Sequence, residues 1–407
     1  MKTIVLSAFS CAPNFGSEER VGWQAVSALR GHYVVHVFID GTSPGKIGDN
    51  LVRQLREEQV YIHFYNLGEM ISGFSRKSKI LRNLYYNVWQ MRLSNHICKT
   101  IDATKIDLVH HVSWARYSTP TSLGKLGKPL VIGPIGGGDT VPKPLLKALG
   151  KKDRAMAGVR RFLIYCIGHV GILKRCYKQA SVVIACTEAT KRQILRLSSS
   201  ADVKLMPLLT IEPFNHEKIT KEPFTVVSTG RLLGWKGFSI VIKAFFQAGP
   251  EVKELIIIGD GPERSRLEGL VSELNCIAVP KSVRFMGSIE NSEVMKELEA
   301  SSVFCFGSMH DSGGYSLLEA MSVGLPVVCF DLAGPGVIID ETCGVKIQVD
   351  EISLVVKNFA GALDNLQQNR ELCTKLSLGA QSRLKKFSLD QYRSQIQNYY
   401  ECLLRSE

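Results

Sequence analysis

Short apolar, β-branched runs alternate with longer stretches of helical spacing along the whole chain, and the series runs twice. In the first half the strand candidates are Thr3–Ala8, Val34–Ile39, Leu108–His111, Leu130–Ile132 and Val182–Ala185. In the second half they are Thr225–Ser228, Leu255–Ile258, Val283–Met286, Val303–Phe306 and Val327–Cys329. Segments with helical spacing, such as Glu19–Leu29 and Ser316–Ser322, lie between them. Continuously apolar strands separated by helices predict parallel sheets covered on both faces. The series restarts after Met206–Phe224, a stretch marked by Pro207, Pro213 and Pro223. The expectation is α/β architecture: two tandem Rossmann-like, doubly wound domains facing a cleft. The boundaries are residues 1–210 and 211–387, with a C-terminal amphipathic helix, 388–407, packing back on the first domain. A length of 407 residues suits two domains. No heptad run or internal repeat competes with this reading.

Composition excludes a disordered chain: 45% of residues are apolar and 22% charged. The formal charge is +12, and it is unevenly placed. Residues 1–215 hold 30 Lys and Arg against 14 Asp and Glu, whereas residues 216–407 hold 20 against 24. The basic excess of the first half points to an anionic partner. Eleven cysteines are scattered singly with no C-x-x-C pair, and Cys186, Cys305 and Cys329 sit in apolar runs. That usage fits a reducing cytoplasm and argues against a disulfide frame or zinc site. The start, MKTIVLSAFS, reads as a buried strand and not as a secretory signal. The longest apolar stretch, Phe162–Leu173, is too short to span a bilayer.

Two stretches carry the chemistry. In STGRLLGWKG (Ser228–Gly237), Arg231 and Lys236 follow an apolar strand and precede a helix. Two cations beside free helix amides suit a diphosphate, although the pair alone would equally fit two solvated surface cations. In HDSGGYSLLEAMSVGLP (His310–Pro326), Asp311 and Glu319 stand eight apart, with Gly313 and Gly314 just before a helical pattern. A Gly-Gly turn lets backbone approach a ligand, and the amides that follow, from Tyr315 on, can cap a phosphate. Glu319 falls one to two turns into that helix, where it could accept from a ribose diol; alone it would pass for an exposed helix acid.

These motifs resemble, in order, the C-terminal domain of nucleotide-sugar glycosyltransferases of the GT-B fold, specifically retaining family 4 (glycosyl transferases group 1). The stretches are GRLLGWKG, IIIGDGP (Ile256–Pro262), VRFMGSI (Val283–Ile289) and the acidic-x7-acidic motif running into EAMSVGLPVV. In the first half SAFSCAPNFGSEERVGWQ, DLVHHVSW and GPIGGG are similar to one bacterial branch of that family, so the resemblance covers nearly the whole chain. It implies that Arg231 and Lys236 bind the donor diphosphate, that Glu319 holds the ribose, and that Asp311 holds donor-sugar hydroxyls. It places Gly313, Gly314 and Tyr315 against the donor, with Gly259, Gly261, Met286 and Gly287 edging the base. Gly16 and Ser17 would approach the diphosphate from the other domain. One departure stands out: the family usually has Glu where this chain has Asp311, and Asp is one methylene shorter. HDSGG resembles a variant of this branch.

His110 and His111 end a strand, and adjacent strand residues point to opposite faces. His111 is the candidate to face the donor, where the resemblance implies a hydrogen bond to its sugar; a satisfied core histidine is the plain alternative. Gly136, Gly137 and Gly138 suit close backbone approach to donor or acceptor, or a tight left-handed turn. No D-x-D motif occurs, so no catalytic metal and no cofactor are expected, the nucleotide sugar being substrate. Ten basic residues between Lys143 and Lys178 flank FLIYCIGHVGIL. That pattern suits an anionic lipid surface, or equally a buried helix with solvated flanks. No nucleic-acid-binding module is present. The reading is a hexosyltransferase of bacterial surface-polysaccharide assembly (lipopolysaccharide, capsule or exopolysaccharide). It would be cytoplasmic and peripheral on the inner membrane face, acting on a glycan or lipid-linked glycan. The alternatives are a nucleotide-sugar epimerase, a sugar phosphorylase or a catalytically impaired nucleotide-sugar binder.

Overall fold

The computed structural model describes residues 1–13, 17–42, 47–114, 116–211 and 223–405. The chain divides into two compact units: Met1–Gly138, Ile164–Thr210 and Leu389–Glu407 form the first, and Asp139–Leu163 with Ile211–Ser388 form the second. Most of the Pro-marked stretch lies outside the described residues.

Among the described residues the first unit holds seven strands: β1 Thr3–Ala8, β2 Val34–Asp40, β3 Val60–Tyr65, β4 Leu108–Ser113, β5 Leu130–Ile135, β6 Val182–Ala185 and β7 Val203–Leu205. They pair in the order β3-β2-β1-β4-β5-β6-β7, every neighbour parallel. Its helices are α1 Ser17–Leu29, α2 Asp49–Glu57, α3 Glu69–Ser75 and α4 Lys79–Thr100, then, after α5 Lys151–Ile167, most of which belongs to the second unit, α6 Gly171–Gln179 and α7 Glu188–Leu197. Helix α5 runs through the boundary between residues 163 and 164.

Among the described residues the second unit holds six strands: β8 Thr225–Thr229, β9 Glu254–Ile258, β10 Ser282–Gly287, β11 Val303–Phe306, β12 Val327–Phe330 and β13 Gly344–Ile347. Their order is β10-β9-β8-β11-β12-β13, again all parallel. Its helices are α8 Phe238–Gln247, α9 Arg264–Ile277, α10 Asn291–Ala300, α11 Tyr315–Ser322, α12 Ala333–Ile338, α13 Ile352–Gln368 and α14 Arg370–Leu384. The last helix, α15 Leu389–Arg405, belongs to the first unit. Both sheets have the doubly wound order, reversing direction between β1 and β4 and between β8 and β11. At such a reversal successive connections leave on opposite faces, and the loops at the C-terminal strand ends diverge into a crevice.

Each sheet is built from strands that are apolar on both faces because helices cover both. The second unit's core packs Val226, Leu255, Val303 and Val328 against Val241, Phe245 and Phe359. It also takes in Val141, Leu145 and Leu149, three apolar residues at four-residue spacing, which explains why Asp139–Leu163 counts with this unit. The first unit's core centres on Phe9, Phe38, Trp89 and Tyr86, with Val109 and Val183 beneath.

All ten anticipated strands are present, most with an extra residue or two at an end. Three strands were not anticipated: β3, β7 and β13. Each is a sheet edge, where one side lacks a neighbour and the apolar run is broken by half-exposed residues.

Helix α15 is fastened to β4 by a buried polar contact. Tyr400 Oη lies 2.6 Å from His110 Nδ1, and His110 Nε2 lies 2.6 Å from the Gly133 carbonyl. The carbonyl only accepts, so Nε2 carries the proton and Nδ1 accepts from the tyrosine hydroxyl. Tyr400→Phe should strand that buried acceptor and lower stability by about 1–3 kcal/mol in chemical denaturation. Burial pushes His110 down to about 4 from 6.5. The unfolded chain therefore takes up this proton before the folded one does. Stability should be full above pH 6.5 and fall as pH drops from 6.5 towards 4. The slope is about 1.4 kcal/mol per pH unit for each histidine so buried, measurable by denaturation at stepped pH.

Candidate functional site

The loops after β8 and β11 leave the sheet where the second unit's strand order reverses. β8 ends at Thr229, and Gly230, at φ 144°, turns the chain into Arg231, which is exposed. A single 3-10 turn, Gly234–Lys236, then brings Lys236 back toward the sheet, and Gly237, at φ 68°, starts α8. Glycine is required there: a Cβ on Gly237 would lie 1.9 Å from the Gly307 carbonyl oxygen, just beyond β11. The two loops therefore meet backbone to backbone, and their side chains pair above that contact. Lys236 Nζ forms an ion pair with Asp311 Oδ2, both groups largely screened from solvent. The ammonium also lies 5.5 Å from the centre of the Phe306 ring.

The other oxygen of Asp311 turns back on its own chain. Oδ1 accepts from the amides of Gly313 and Gly314 at 3.1 and 3.2 Å. Burial of the Asp311 carboxyl works against ionisation. The charge and hydrogen bond of Lys236 and the two amides outweigh it and hold the group below the ordinary carboxylate range. Gly314 adopts φ 57° and opens α11, whose first residue is Tyr315. Glu319 lies in the second turn of α11, buried, with Oε1 accepting from Asn291 Nδ2 at 2.9 Å.

The same loops also hold residues that the sequence pattern did not single out. His310 stacks on Trp235, ring centres 5.2 Å apart and planes inclined by 15°. Burial, with the positive charge of Arg160, pushes His310 down to about 4, so it is neutral near pH 7. Ser312 Oγ donates to Asp139 Oδ2 at 2.8 Å, and Arg160 Nε donates to the Asp139 carbonyl at 2.9 Å. A segment distant in sequence thus grips the Gly-Gly turn. The signals were present: His310 directly precedes Asp311, and Asp139 directly follows GPIGGG.

The glycines of the next loops are brought together. Gly259 N donates to the Gly287 carbonyl at 2.7 Å, and Met286 precedes Gly287 at the end of β10. A Cβ on Gly259 would meet the Gly230 carbonyl at 2.1 Å, and one on Gly261 the Leu232 carbonyl at 2.5 Å. The bare backbone at Gly259 and Gly261 lets this loop pack against the one carrying Arg231.

In the first unit, His111 ends β4 and is buried. Its Nε2 lies 2.8 Å from Tyr86 Oη, which donates to the Trp114 carbonyl. The tyrosine proton is thereby used, so Nε2 donates and Nδ1 is left as a buried acceptor with no partner among the described residues. Burial and the neighbouring His110 push His111 down to about 3, so the imidazole is a neutral acceptor and not a proton carrier near pH 7. The two histidines do face different elements, His110 toward α15 and His111 toward α4. Gly137 takes φ 93°, and a Cβ on Gly138 would lie 2.6 Å from Thr190 Cα, so close approach here is to α7 of the same unit. Gly136 pairs with Arg116 in an isolated bridge. Ser17 is the first residue of α1, and Gly16 lies outside the described residues. Among the described residues no group of three or more His, Cys, Asp or Glu is placed to hold a metal ion.

Residues 191–383 match the family described as glycosyl transferases group 1. The lipopolysaccharide core biosynthesis glycosyltransferase LpsD of Rhizobium meliloti is 31% identical over 166 residues, 40% of this chain and 45% of LpsD. An uncharacterized glycosyltransferase of Methanocaldococcus jannaschii, MJ1069, is 26% identical over 206 residues, 47% of this chain and 52% of that protein. The chain spans about half the length of the curated relatives it matches. Among solved structures, the apo form of the lipopolysaccharide outer core galactosyltransferase WaaB superposes with a TM-score of 0.62 at 17% identity, covering 98% of this chain and 99% of that one. WaaG, a glycosyltransferase involved in lipopolysaccharide biosynthesis, gives 0.61 at 16%, covering 98% and 99%. Anabaena HepE in complex with UDP and glucose gives 0.59 at 17%, covering 99% and 100%. The two Rossmann-like sheets are those of the GT-B fold, and residues 191–383 carry a glycosyl transferases group 1 domain.

Proposed function

We propose that the chain is a retaining glycosyltransferase. It would move a hexose from a nucleotide-diphosphate sugar to a glycan or lipid-linked glycan of a bacterial surface polysaccharide. The observation that carries this reading is the Lys236–Asp311 pair at the β8/β11 reversal, with the Gly313 and Gly314 amides beside it, inside the stretch that matches the transferase family. The names of LpsD and WaaB support a lipopolysaccharide-type acceptor, and the UDP held by HepE supports a nucleotide-sugar donor.

The chemistry follows from charge. The bond from the anomeric carbon to the diphosphate breaks with oxocarbenium character, and negative charge grows on the leaving group. Lys236, exposed Arg231 and the amides at the start of α11 stabilise that charge, which is the largest electrostatic contribution such a site makes. Asp311 orients the Lys236 ammonium and in turn accepts from donor-sugar hydroxyls, while Glu319 accepts from the ribose. The acceptor hydroxyl attacks on the face the diphosphate leaves and passes its proton to the departing phosphate oxygen, so no protein nucleophile is required. His111 Nδ1, a buried neutral acceptor, is suited to a sugar hydroxyl. We further propose a cytoplasmic location with peripheral contact at the inner membrane face.

The alternative, a nucleotide-sugar binder that does not turn over, is not favoured, but one feature bears on it. Both oxygens of Asp311 are engaged, by Lys236 and by the turn amides, which would suit a binder that does not turn over. Thermal shift against UDP, GDP and a panel of their sugars, followed by donor hydrolysis and transfer assays, separates the two. Turnover establishes the transferase; tight donor binding with neither activity establishes the binder. Lys236→Ala should lower kcat about 100- to 1000-fold, comparable with removing an oxyanion donor. Near-normal turnover would refute its role. Activity should also persist in excess chelator, and complete loss there would show that a metal ion is needed.

A further inference from the structure

We infer that the helical hairpin α3–α4 is a docking surface for an anionic lipid bilayer. It gives a location to the peripheral contact proposed above, yet it stands on the first unit alone and holds whether or not the chain transfers sugar.

Helix α4 buries Tyr86, Trp89, Leu93 and Ile97 against the sheet. The opposite side of its first half should then be polar, and it is not. Ile80, Leu84 and Val88 recur every four residues and so form one stripe, all exposed, Ile80 at 80%. Helix α3, packed beside α4, adds Met70, Ile71 and Phe74, also exposed, Met70 at 88%. Single exposed apolar residues need no explanation, but six on one two-helix hairpin do.

Charge selects the occupant. Residues 66–100 hold one acid, Glu69, against Arg76, Lys77, Lys79, Arg92 and Lys99, besides Arg82, whose charge is taken up by an ion pair with the buried Asp40. Arg76 and Lys77 lie exposed in the turn between the helices, and Lys77 Nζ sits 5.1 Å from the centre of the exposed Phe74 ring. A second copy docked here would bring the same cations together across a two-fold axis and repel. An anionic bilayer satisfies both features: the apolar side chains enter the acyl boundary while the ammonium and guanidinium groups remain among the headgroups.

The test is flotation of the full chain with phosphatidylcholine vesicles, with and without phosphatidylglycerol, at low and high salt. The wild type should float with the anionic vesicles and much less with the neutral ones. Ile80→Asp with Leu84→Asp should weaken binding at least roughly tenfold, since two buried apolar side chains become charges. Arg76→Glu with Lys77→Glu should weaken it and flatten its salt dependence. Thermal denaturation checks that the variants fold, which these exposed positions should allow. Three outcomes overturn the proposal. The wild type fails to float, or both double variants float as it does. Alternatively, sedimentation without vesicles shows that Ile80→Asp with Leu84→Asp converts a dimer to monomers, making the patch a self-interface. Donor binding and turnover measured on the same preparations tell failure of this surface from failure of the transferase reading.

Discussion

The ion pair between Lys236 and Asp311 ties together the loops that follow β8 and β11 in the second unit. It bridges β8 and β11, the two strands between which the sheet reverses order, where connections part and leave a crevice. Beneath it the backbones of Gly237 and Gly307 touch, which fixes the separation of the two loops. Above it Asp311 passes the constraint on: one oxygen holds the lysine and the other holds the Gly313 and Gly314 amides, which set the entry of α11. The direction of α11 then places Glu319 against Asn291. Removing either charge would leave the other largely buried and unpaired, a costlier state than losing both. The shortened acid at 311 is therefore part of the design seen here. An aspartate reaches the second and third amides after itself, as carboxylates do in turns of this kind, whereas a glutamate extends further out.

Interior architecture was legible because parallel sheets impose a strong pattern. A strand covered on both faces is buried almost throughout and mostly apolar, and β1, β8, β11 and β12 show such runs. The edges β3, β7 and β13 escape that demand. Lys204 within β7 and Lys346 within β13 are natural on strands with one open side and misleading in a search for continuous apolar runs. The alternation of side chains along β4 was similarly readable: it separated His110 from His111 before any partner was known. What each histidine meets was not readable, because Tyr86 and Tyr400 come from helices far apart in sequence. The same limit applies to Asn291, Asp139 and Arg160. Their positions are set by how elements pack, and no local spacing announces them. The glycines show a further limit. Gly138, Gly237, Gly259 and Gly261 do mark close backbone approach, as their type implies, but the approaching group in each case belongs to the protein itself.

The placement of residues 139–163 changes the meaning of the charge. That segment follows the Gly136–Gly138 run directly and enters the second unit's core through Val141, Leu145 and Leu149. It carries seven Lys and Arg against two acids. Several of those cations have structural partners: Arg154 Nε donates to the Leu146 carbonyl, Arg160 to that of Asp139 and Arg161 to that of Val141. They fasten the backbone carbonyls of this loop. Part of this basic cluster is thus a fastening for the segment, while Phe162, Leu163, Tyr165 and Ile172 of the apolar stretch beside it are exposed, unlike the buried helix that is the alternative to a lipid-facing one.

Counted by compact unit, the first holds 25 Lys and Arg against 14 acids and the second 25 against 24. The first unit keeps nearly the whole excess even after losing the 139–163 segment. Nearly half of it lies in residues 66–100, the stretch with the exposed apolar hairpin. Net charge alone names no partner, since phosphate, nucleic acid and anionic lipid all attract cations. Apolar surface alone names none either, since another protein would cover it as well as lipid. The two together on one hairpin are more selective. Exposed methylenes and rings reject a purely ionic partner, and the cations reject a second copy of the same face.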